Sequence, residues 1–149
     1  MAVLRAHPYG NQHFLVDLGT GNTAGLEAAF CEVTIPGISI DVIEYRTGSS
    51  KETGVQKLPG LARYPDVTLR HGVIGSLDLY KWINDIRNGA SNSGRTVTIQ
   101  LLSEDGTPVL TWKLLRAWPS KYSGPHLDAE GTDVAMEELV LSYERLEME

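Results

Sequence analysis

Residues 97–112 read VTIQLLSEDGTPVLTW, two segments separated by a turn signal. In residues 96–102, Val97, Ile99 and Leu101 place apolar side chains at every second position, which is the period of a half-buried strand. Residues 109–118 supply a second strand, and the intervening Asp105-Gly106 pair favours a tight hairpin turn. These strands are therefore predicted to be antiparallel neighbours, and the fold is predicted to be built on antiparallel sheet.

The two-residue period recurs on both sides of this hairpin. It predicts strands at residues 13–18, 26–35, 40–46 and 66–73, and it also favours a strand at 134–146, although the Glu and Met residues there are typical of helix. The strand at 40–46 carries apolar residues on both faces, so we expect each face to be covered. Residues 119–132 are predicted to be a loop.

One segment has a helical period. Leu79, Trp82 and Ile86 recur with the spacing of one helix face, Ser76 is a candidate N-cap, and Gly89 follows the end. The sequence thus predicts a mainly β fold of two packed antiparallel sheets, a sandwich or partly open barrel, with one flanking helix in a single domain over residues 1–149.

A stretch rich in proline precedes the strand at 66–73. It reads KLPGLARYPDV over residues 57–67, and each proline requires extended backbone at the residue before it, Leu58 and Tyr64. Residues 47–65 are longer than an ordinary hairpin loop. We expect an extended arm of defined shape at about residues 44–64.

The composition excludes several functional classes. The net charge of −6 comes without any basic cluster, which disfavours binding to nucleic acid. No apolar run approaches the length of a membrane span, and the N-terminus lacks a secretory signal, so we expect folding in the cytoplasm.

Catalytic, metal-binding and cofactor motifs are not found. Cys31 is expected to be a buried small apolar residue, and the four histidines show no metal-ligand spacing. The glycines of residues 19–25 (GTGNTAG) lack the Lys-Ser/Thr of a phosphate loop. We therefore predict no catalytic residue, no metal and no cofactor.

An ordered series of segments carries a family resemblance. They are IEYRTG at 43–48, KLPGL at 57–61, YPDVTLRHGV at 64–73, VTIQLLSEDGTPVLTW at 97–112 and AWPSKYSGP at 117–125. In this order they resemble the tail tube (inner tube) proteins of contractile phage tails and contractile injection systems. The departures are EVTIPGI before residue 39 and SYERL at 142–146, which leave the branch of the family open.

The resemblance implies a structural protein. It implies hexameric rings that stack into a tube, a central channel for DNA or protein cargo, and partners in the sheath, the baseplate or initiator and the terminator, all within a phage tail or phage tail-like particle, intracellular or released. The arm would dock on neighbouring subunits. The predicted interface residues are Glu44, Tyr45, Arg46, Lys57, Leu58, Pro59, Gly60, Tyr64 and Pro65.

Two alternatives belong to other classes. A monomeric β-barrel would bind a small ligand in a pocket lined by Trp112, Trp118 and Tyr143. An enzyme ranks third, because it would need a histidine or carboxylate cluster that the motifs do not assemble. Which of four charged residues would face the channel of a tube also stays open: Glu32, Asp66, Arg70 and Lys113.

Overall fold

The computed structural model describes residues 2–19, 30–49, 51–89 and 94–149, in which nine strands and one helix are formed. In chain order the elements are β1 (Phe14–Asp17), β2 (Glu32–Thr34), β3 (Ser39–Tyr45), β4 (Gln56–Arg63), β5 (Val67–Gly72), α1 (Asp78–Arg87), β6 (Arg95–Leu102), β7 (Pro108–Ser123), β8 (Met136–Ser142) and β9 (Arg145–Met148). The predicted class, mainly β with antiparallel sheets and one helix, is confirmed.

Seven of the strands form one bent antiparallel sheet. Its order is β1-β6-β7-β8-β5-β2, and β9 pairs with β7 as well. The long strand β7 turns at Arg116, whose positive φ of 53° and adjacent register shift mark a bulge. Before the bend β7 pairs with β6 and β9, and after it one further pair joins Ala117 to Arg95 of β6 before β7 pairs with β8. The sheet thus folds over into two halves.

The two halves and the helix enclose one apolar core. Its buried side chains come from nearly every strand of the sheet and from α1. They include Val16, Val67, Leu69, Leu79, Trp82, Val97, Ile99, Leu114, Leu139 and Leu141. The alternating burial along β5 and β8 matches the period predicted from the sequence.

The helix begins and ends close to the predicted positions. The predicted N-cap was wrong by one residue: Leu77 occupies the N-cap position without a side-chain capping hydrogen bond, although the Ser76 hydroxyl accepts a hydrogen bond from the Asp78 amide at 3.3 Å. Gly89 adopts a positive φ of 85° just beyond the last turn. Trp82 is only 1% exposed, and the Arg95 guanidinium lies 4.5 Å from the centre of its ring. Within the described residues, no helix is long and apolar enough to cross a membrane.

Three predictions about strands were wrong in detail. Residues 47–65 are not a strand-free connection, because β4 lies within them and pairs with β3. Residues 119–132 are not all loop, because β7 continues to Ser123 through a second register shift after Pro119. Residues 134–146 form β8 and β9 rather than one strand, because the chain breaks opposite the bend of β7, where Glu144 pairs with Arg116.

The prediction for Cys31 was also wrong. Its side chain is exposed, because it precedes the short edge strand β2 and is not covered by a second layer. The glycine-rich loop after Gly19, the first part of the strand predicted at 26–35 and most of the GASNSG segment lie outside the described residues.

Candidate assembly interface

Strands β3 and β4 form a hairpin that is separate from the main sheet. In the described part of the chain they pair only with each other, as a two-stranded antiparallel ribbon. Most of their residues are exposed, including aliphatic ones. Val42 is 62% exposed and Leu61 is 77% exposed. An exposed apolar ribbon of this kind marks an interaction surface.

Both faces of this hairpin carry apolar side chains. Directly opposed residues of antiparallel strands point to the same side, so Val42 and Pro59 share one face, whereas Ile43 and Leu58 share the other. The two-faced pattern that predicted burial at residues 40–46 is thus present, but each face is open in the isolated subunit. Two apolar surfaces, rather than one, are therefore exposed.

Gly60 allows the two strands of the hairpin to approach each other. It lies where the register shifts between Ile40 and Val42, and a Cβ atom at this position would lie 3.0 Å from the carbonyl oxygen of Asp41 and 3.2 Å from Cγ1 of Ile43. A larger side chain would have to push backbone atoms apart. Gly60 is therefore a structural requirement of this ribbon.

Polar contacts brace the hairpin at its two ends. Near the body, Nε of Arg63 lies 2.9 Å from both carboxylate oxygens of Asp41. The hydrogen bond from Arg63 lowers the pKa of Asp41. At the far end, the Arg46 guanidinium donates to the Glu52 carbonyl oxygen at 3.2 and 3.3 Å, which closes the loop between the strands.

The hairpin contains most of the residues predicted as an interface. Glu44 lies opposite Lys57 and Tyr45 lies opposite Gln56, while Arg46 follows β3. Leu58, Pro59 and Gly60 form the middle of β4. Tyr64 instead packs against the core, 5.9 Å from the ring of Tyr143, and Pro65 lies in the exposed link to β5.

Several exposed residues of the hairpin were not in the predicted set. They are Ile40, Val42, Ile43, Leu61 and Arg63. The sequence signal for the residues of β3 was the presence of apolar residues on both faces of 40–46. Whether those residues are exposed depends on what the strand packs against. That information is absent from a single sequence.

The aromatic residues of the ligand-barrel alternative do not line one pocket. Tyr143 is buried in the core, Trp118 is 40% exposed, and Trp112 lines a cleft that the other two do not border. Among the described residues, no cluster of three or more His, Cys, Asp or Glu side chains could hold a metal ion. A second cleft, of about 490 Å³, is lined mainly by polar residues, including Arg70, His126 and Asp133.

A buried polar cluster borders this second cleft. Nε2 of His71 lies 2.6 Å from Oε1 of Glu137, close enough for an ion pair but not aligned as a regular hydrogen bond. The Tyr122 hydroxyl donates to Oε2 of the same carboxylate at 2.5 Å, and this hydrogen bond is the largest cause that raises the pKa of Tyr122 to about 12. The cluster joins β5, β7 and β8 beneath the sheet surface. The Glu137 carboxylate thus contacts both His71 and Tyr122, although Nε2 of His71 makes no regular hydrogen bond within the described residues.

Comparisons with known proteins agree with this architecture. Residues 10–147 match the family model of the T4-like virus tail tube protein gp19. A chain in the extended sheath–tube complex of an extracellular contractile injection system, PVC, is 32% identical, with a TM-score of 0.83 over 97% of this chain and 93% of that chain. A chain of the anti-feeding prophage tube-terminating cap is 29% identical, with a TM-score of 0.82 over 100% of this chain and 95% of that chain.

More distant similarity extends to another group of structures. Hcp1 from Flavobacterium johnsoniae is 14% identical, with a TM-score of 0.53 over 91% of this chain and 93% of that chain, which is a likeness of fold alone. The comparison with curated proteins finds no match. Because the family model spans nearly the whole sheet and the hairpin, the chain belongs to the T4-like virus tail tube protein family.

Proposed function

We propose that this tail tube protein is a non-enzymatic subunit of hexameric rings, which stack into the inner tube of a contractile tail or injection system. The observation that carries the proposal is the β3–β4 hairpin, a braced ribbon with open apolar faces on both sides. Soluble monomers rarely expose a contiguous apolar surface of this kind, whereas subunit contacts in a ring or stack would cover it.

The predicted interface residues fit an arm that is ordered before it docks. Pro59 restricts the backbone of β4, and the ion pair of Arg63 with Asp41 and the Arg46 contact with the loop hold the ribbon in shape. A pre-ordered arm loses little conformational entropy on assembly. We therefore assign Glu44, Tyr45, Arg46, Lys57, Leu58, Pro59 and Gly60 to subunit contacts, with Tyr64 and Pro65 at the root of the arm.

The proposed partners are those of the structures in which similar chains occur. The similar chains come from structures described as a sheath–tube complex, a tube-terminating cap and a baseplate. We propose that this protein likewise contacts a sheath, a baseplate or initiator, and a terminator. It would be made in the cytoplasm and become part of a tail or tail-like particle.

The polar surface suits a channel that does not hold its cargo. Arg70 lies 3.2 Å from Glu32 and 3.9 Å from Glu138, while Lys113 lies 2.9 Å from Glu149. Asp66 accepts a hydrogen bond from Ser142. Paired charges present a weaker field to a passing molecule than isolated ones. If Arg70, Glu32 or Lys113 faces the channel, cargo would meet little net attraction there. The hydroxyl of Ser142 does not neutralise Asp66, so Asp66 facing the channel would repel DNA.

Electron microscopy of the purified protein tests the proposal. Negatively stained samples across a concentration series, alone and with co-expressed sheath and baseplate proteins, should show annular particles or hollow stacks. A particle that stays monomeric under all of these conditions would contradict the tube proposal.

A further inference from the structure

The segment before β1 has a defined shape although residues 3–13 contain no helix or strand. Among the described residues, backbone hydrogen bonds join this segment to the sheet at its two ends. The Val3 amide donates to the Val109 carbonyl oxygen, and the Leu102 amide donates to the His13 carbonyl oxygen, both at 2.9 Å. The residues between these two points are therefore held by side-chain contacts.

The Arg5 side chain organises this segment. Its guanidinium forms a bidentate ion pair, at 2.9 and 3.1 Å, with the carboxylate of Glu104 in the turn between β6 and β7. It also donates to the carbonyl oxygens of His7 at 2.7 Å and Pro8 at 2.6 Å. Arg5 thus fixes the path of the chain around its own side chain and fastens that path to the sheet.

Tyr9 belongs both to the Arg5 contacts and to an apolar cleft. The central carbon of the Arg5 guanidinium lies 3.8 Å from the centre of the Tyr9 ring, and the Tyr9 hydroxyl donates to the Val3 carbonyl oxygen at 3.0 Å. Tyr9 also lines a cleft of about 220 Å³, together with Phe14 and Trp112. One wall of this cleft is therefore made by the segment that Arg5 fastens.

This fastening can be released without unfolding the sheet. The side chain of Glu104 is 66% exposed and that of Arg5 is 31% exposed, and exposed ion pairs stabilise a fold only weakly. A hydrogen bond from Arg5 lowers the pKa of Glu104, so this carboxylate stays charged at neutral pH. Residues 3–11, all of which the structure describes, contribute nothing to the apolar core, so their opening leaves the core packed.

We propose that residues 3–11 form a strap that opens as one unit when the Arg5–Glu104 ion pair breaks, and that its opening uncovers the apolar cleft at Trp112. The strap is a conformational device of the single subunit and does not rest on the proposed tube function. The closed strap keeps one wall of the cleft in place. The open strap exposes Phe14 and Trp112 to solvent while β1 and β6 stay paired.

Limited digestion of the unassembled chain with trypsin tests the opening of the strap. Trypsin cleaves after Arg5 only when the strap is open, because the bound guanidinium cannot enter the protease. Cleavage after Lys51, in the exposed loop between β3 and β4, gives a reference rate in the same chain. Glu104→Gln removes the charge of the carboxylate, and Arg5→Lys keeps the positive charge but not the bidentate geometry. Each variant should raise cleavage after position 5 about fivefold relative to cleavage after Lys51.

Glu144→Gln is the matched control. Glu144 pairs with Arg116, and its side chain is 60% exposed, close to the 66% of Glu104, but it lies outside the strap. Glu144→Gln should therefore leave cleavage after Arg5 at the wild-type rate.

Quenching of tryptophan fluorescence by acrylamide tests the link between the strap and the cleft. In a Trp118→Phe background two tryptophans remain, of which Trp82 is 1% exposed and Trp112 lines the cleft. Quenching therefore reports mainly on Trp112. It should rise about twofold with Glu104→Gln and stay unchanged with Glu144→Gln.

Three outcomes would count against the proposal. Faster cleavage after Arg5 without increased quenching of Trp112 would overturn the link between the strap and the cleft. Unchanged cleavage in both Glu104→Gln and Arg5→Lys would overturn the strap itself. An equal increase in Glu144→Gln would show a general loosening of the subunit and would overturn the role of the Arg5 ion pair.

Discussion

Replacing Gly60 should impair assembly while leaving the folding of the subunit intact. We predict that Gly60→Val lowers tube formation at least tenfold while the melting temperature of the body changes little. The reason is the 3.0 Å approach to the Asp41 carbonyl oxygen, which a Cβ atom would force apart within a ribbon that does not pack on the core. Sedimentation of assembled material and thermal denaturation measure the two effects.

A second glycine of the same hairpin supplies the control. Gly54 lies in the exposed loop, and a Cβ atom there meets nothing within 4 Å. Gly54→Val should therefore assemble like the wild type. Equal assembly of both variants would show that the shape of the ribbon at Gly60 is unimportant.

Two tyrosines, the buried Tyr143 and the partly buried Tyr122, should respond in opposite ways to loss of their hydroxyl groups. The hydroxyl of Tyr143 is buried without a hydrogen-bond partner in the described residues, so Tyr143→Phe should raise the free energy of unfolding by about 1 kcal/mol. Tyr122 donates to the Glu137 carboxylate, so Tyr122→Phe should lower it by about 1.5 to 3 kcal/mol. Urea denaturation at neutral pH gives both values, and a loss of stability in both variants would refute the assignment for Tyr143.

The same residues make stability depend on alkaline pH. Burial raises the pKa of Tyr143 from its ordinary value of 10.0 to about 12, and the hydrogen bond to Glu137 does the same for Tyr122. A raised pKa means that the folded state retains the phenolic proton more strongly than the unfolded state. The resulting contribution to folding stability is complete below pH 10 and is lost as pH rises towards 12. Each Tyr→Phe variant should lose less stability than the wild type over this interval.

Residue environments were predictable only where one element determines them. The burial of Trp82 follows from its place on the helical stripe, which its neighbours along the chain define. The exposure of Cys31 depends on β2 being an edge strand, which is decided by pairing with residues far away in sequence.

Helix α1 stabilises the whole subunit through a core residue that the local sequence identifies. Trp82 projects from it into the core, whereas Tyr80 on the same helix is 45% exposed. We predict that Trp82→Ala lowers the free energy of unfolding by about 3 to 5 kcal/mol, because it leaves a cavity in the core. Tyr80→Ala, the matched control, should cost less than about 1 kcal/mol. Similar values for both variants in urea denaturation would show that α1 does not anchor the core.

Elements with a strong local signal were predicted, and those shaped by register shifts were not. The β6–β7 hairpin was predicted from its Asp-Gly turn, and Gly106 indeed has a positive φ of 87°. β4 was missed because Pro59 argues against a central strand, although an isolated hairpin leaves each strand a free edge on which proline is tolerated. The extension of β7 past Pro119 was missed for a similar reason, because a bulge accommodates the proline.

At the scale of the whole molecule, the subunit combines a closed core with open surfaces. The folded sheet buries its apolar residues, but the hairpin exposes aliphatic residues on two faces, and the cleft lined by Phe14, Val33 and Trp112 exposes part of the core. The mainly β fold class and the tail tube family were predictable because the segments that carry the family resemblance occur in order along nearly the whole chain. The separation of the hairpin from the sheet was not, because it depends on how the elements pack together.

Hydrogen–deuterium exchange on assembled and unassembled protein tests the central claim, that the β3–β4 hairpin holds the tube together. In the unassembled subunit, peptides from residues 39–63 should exchange quickly, and those from the buried strand β8 should exchange slowly. We predict that assembly slows exchange in residues 39–63 at least tenfold and leaves β8 nearly unchanged. Tubes in which residues 39–63 exchange as fast as in the free subunit would contradict the claim.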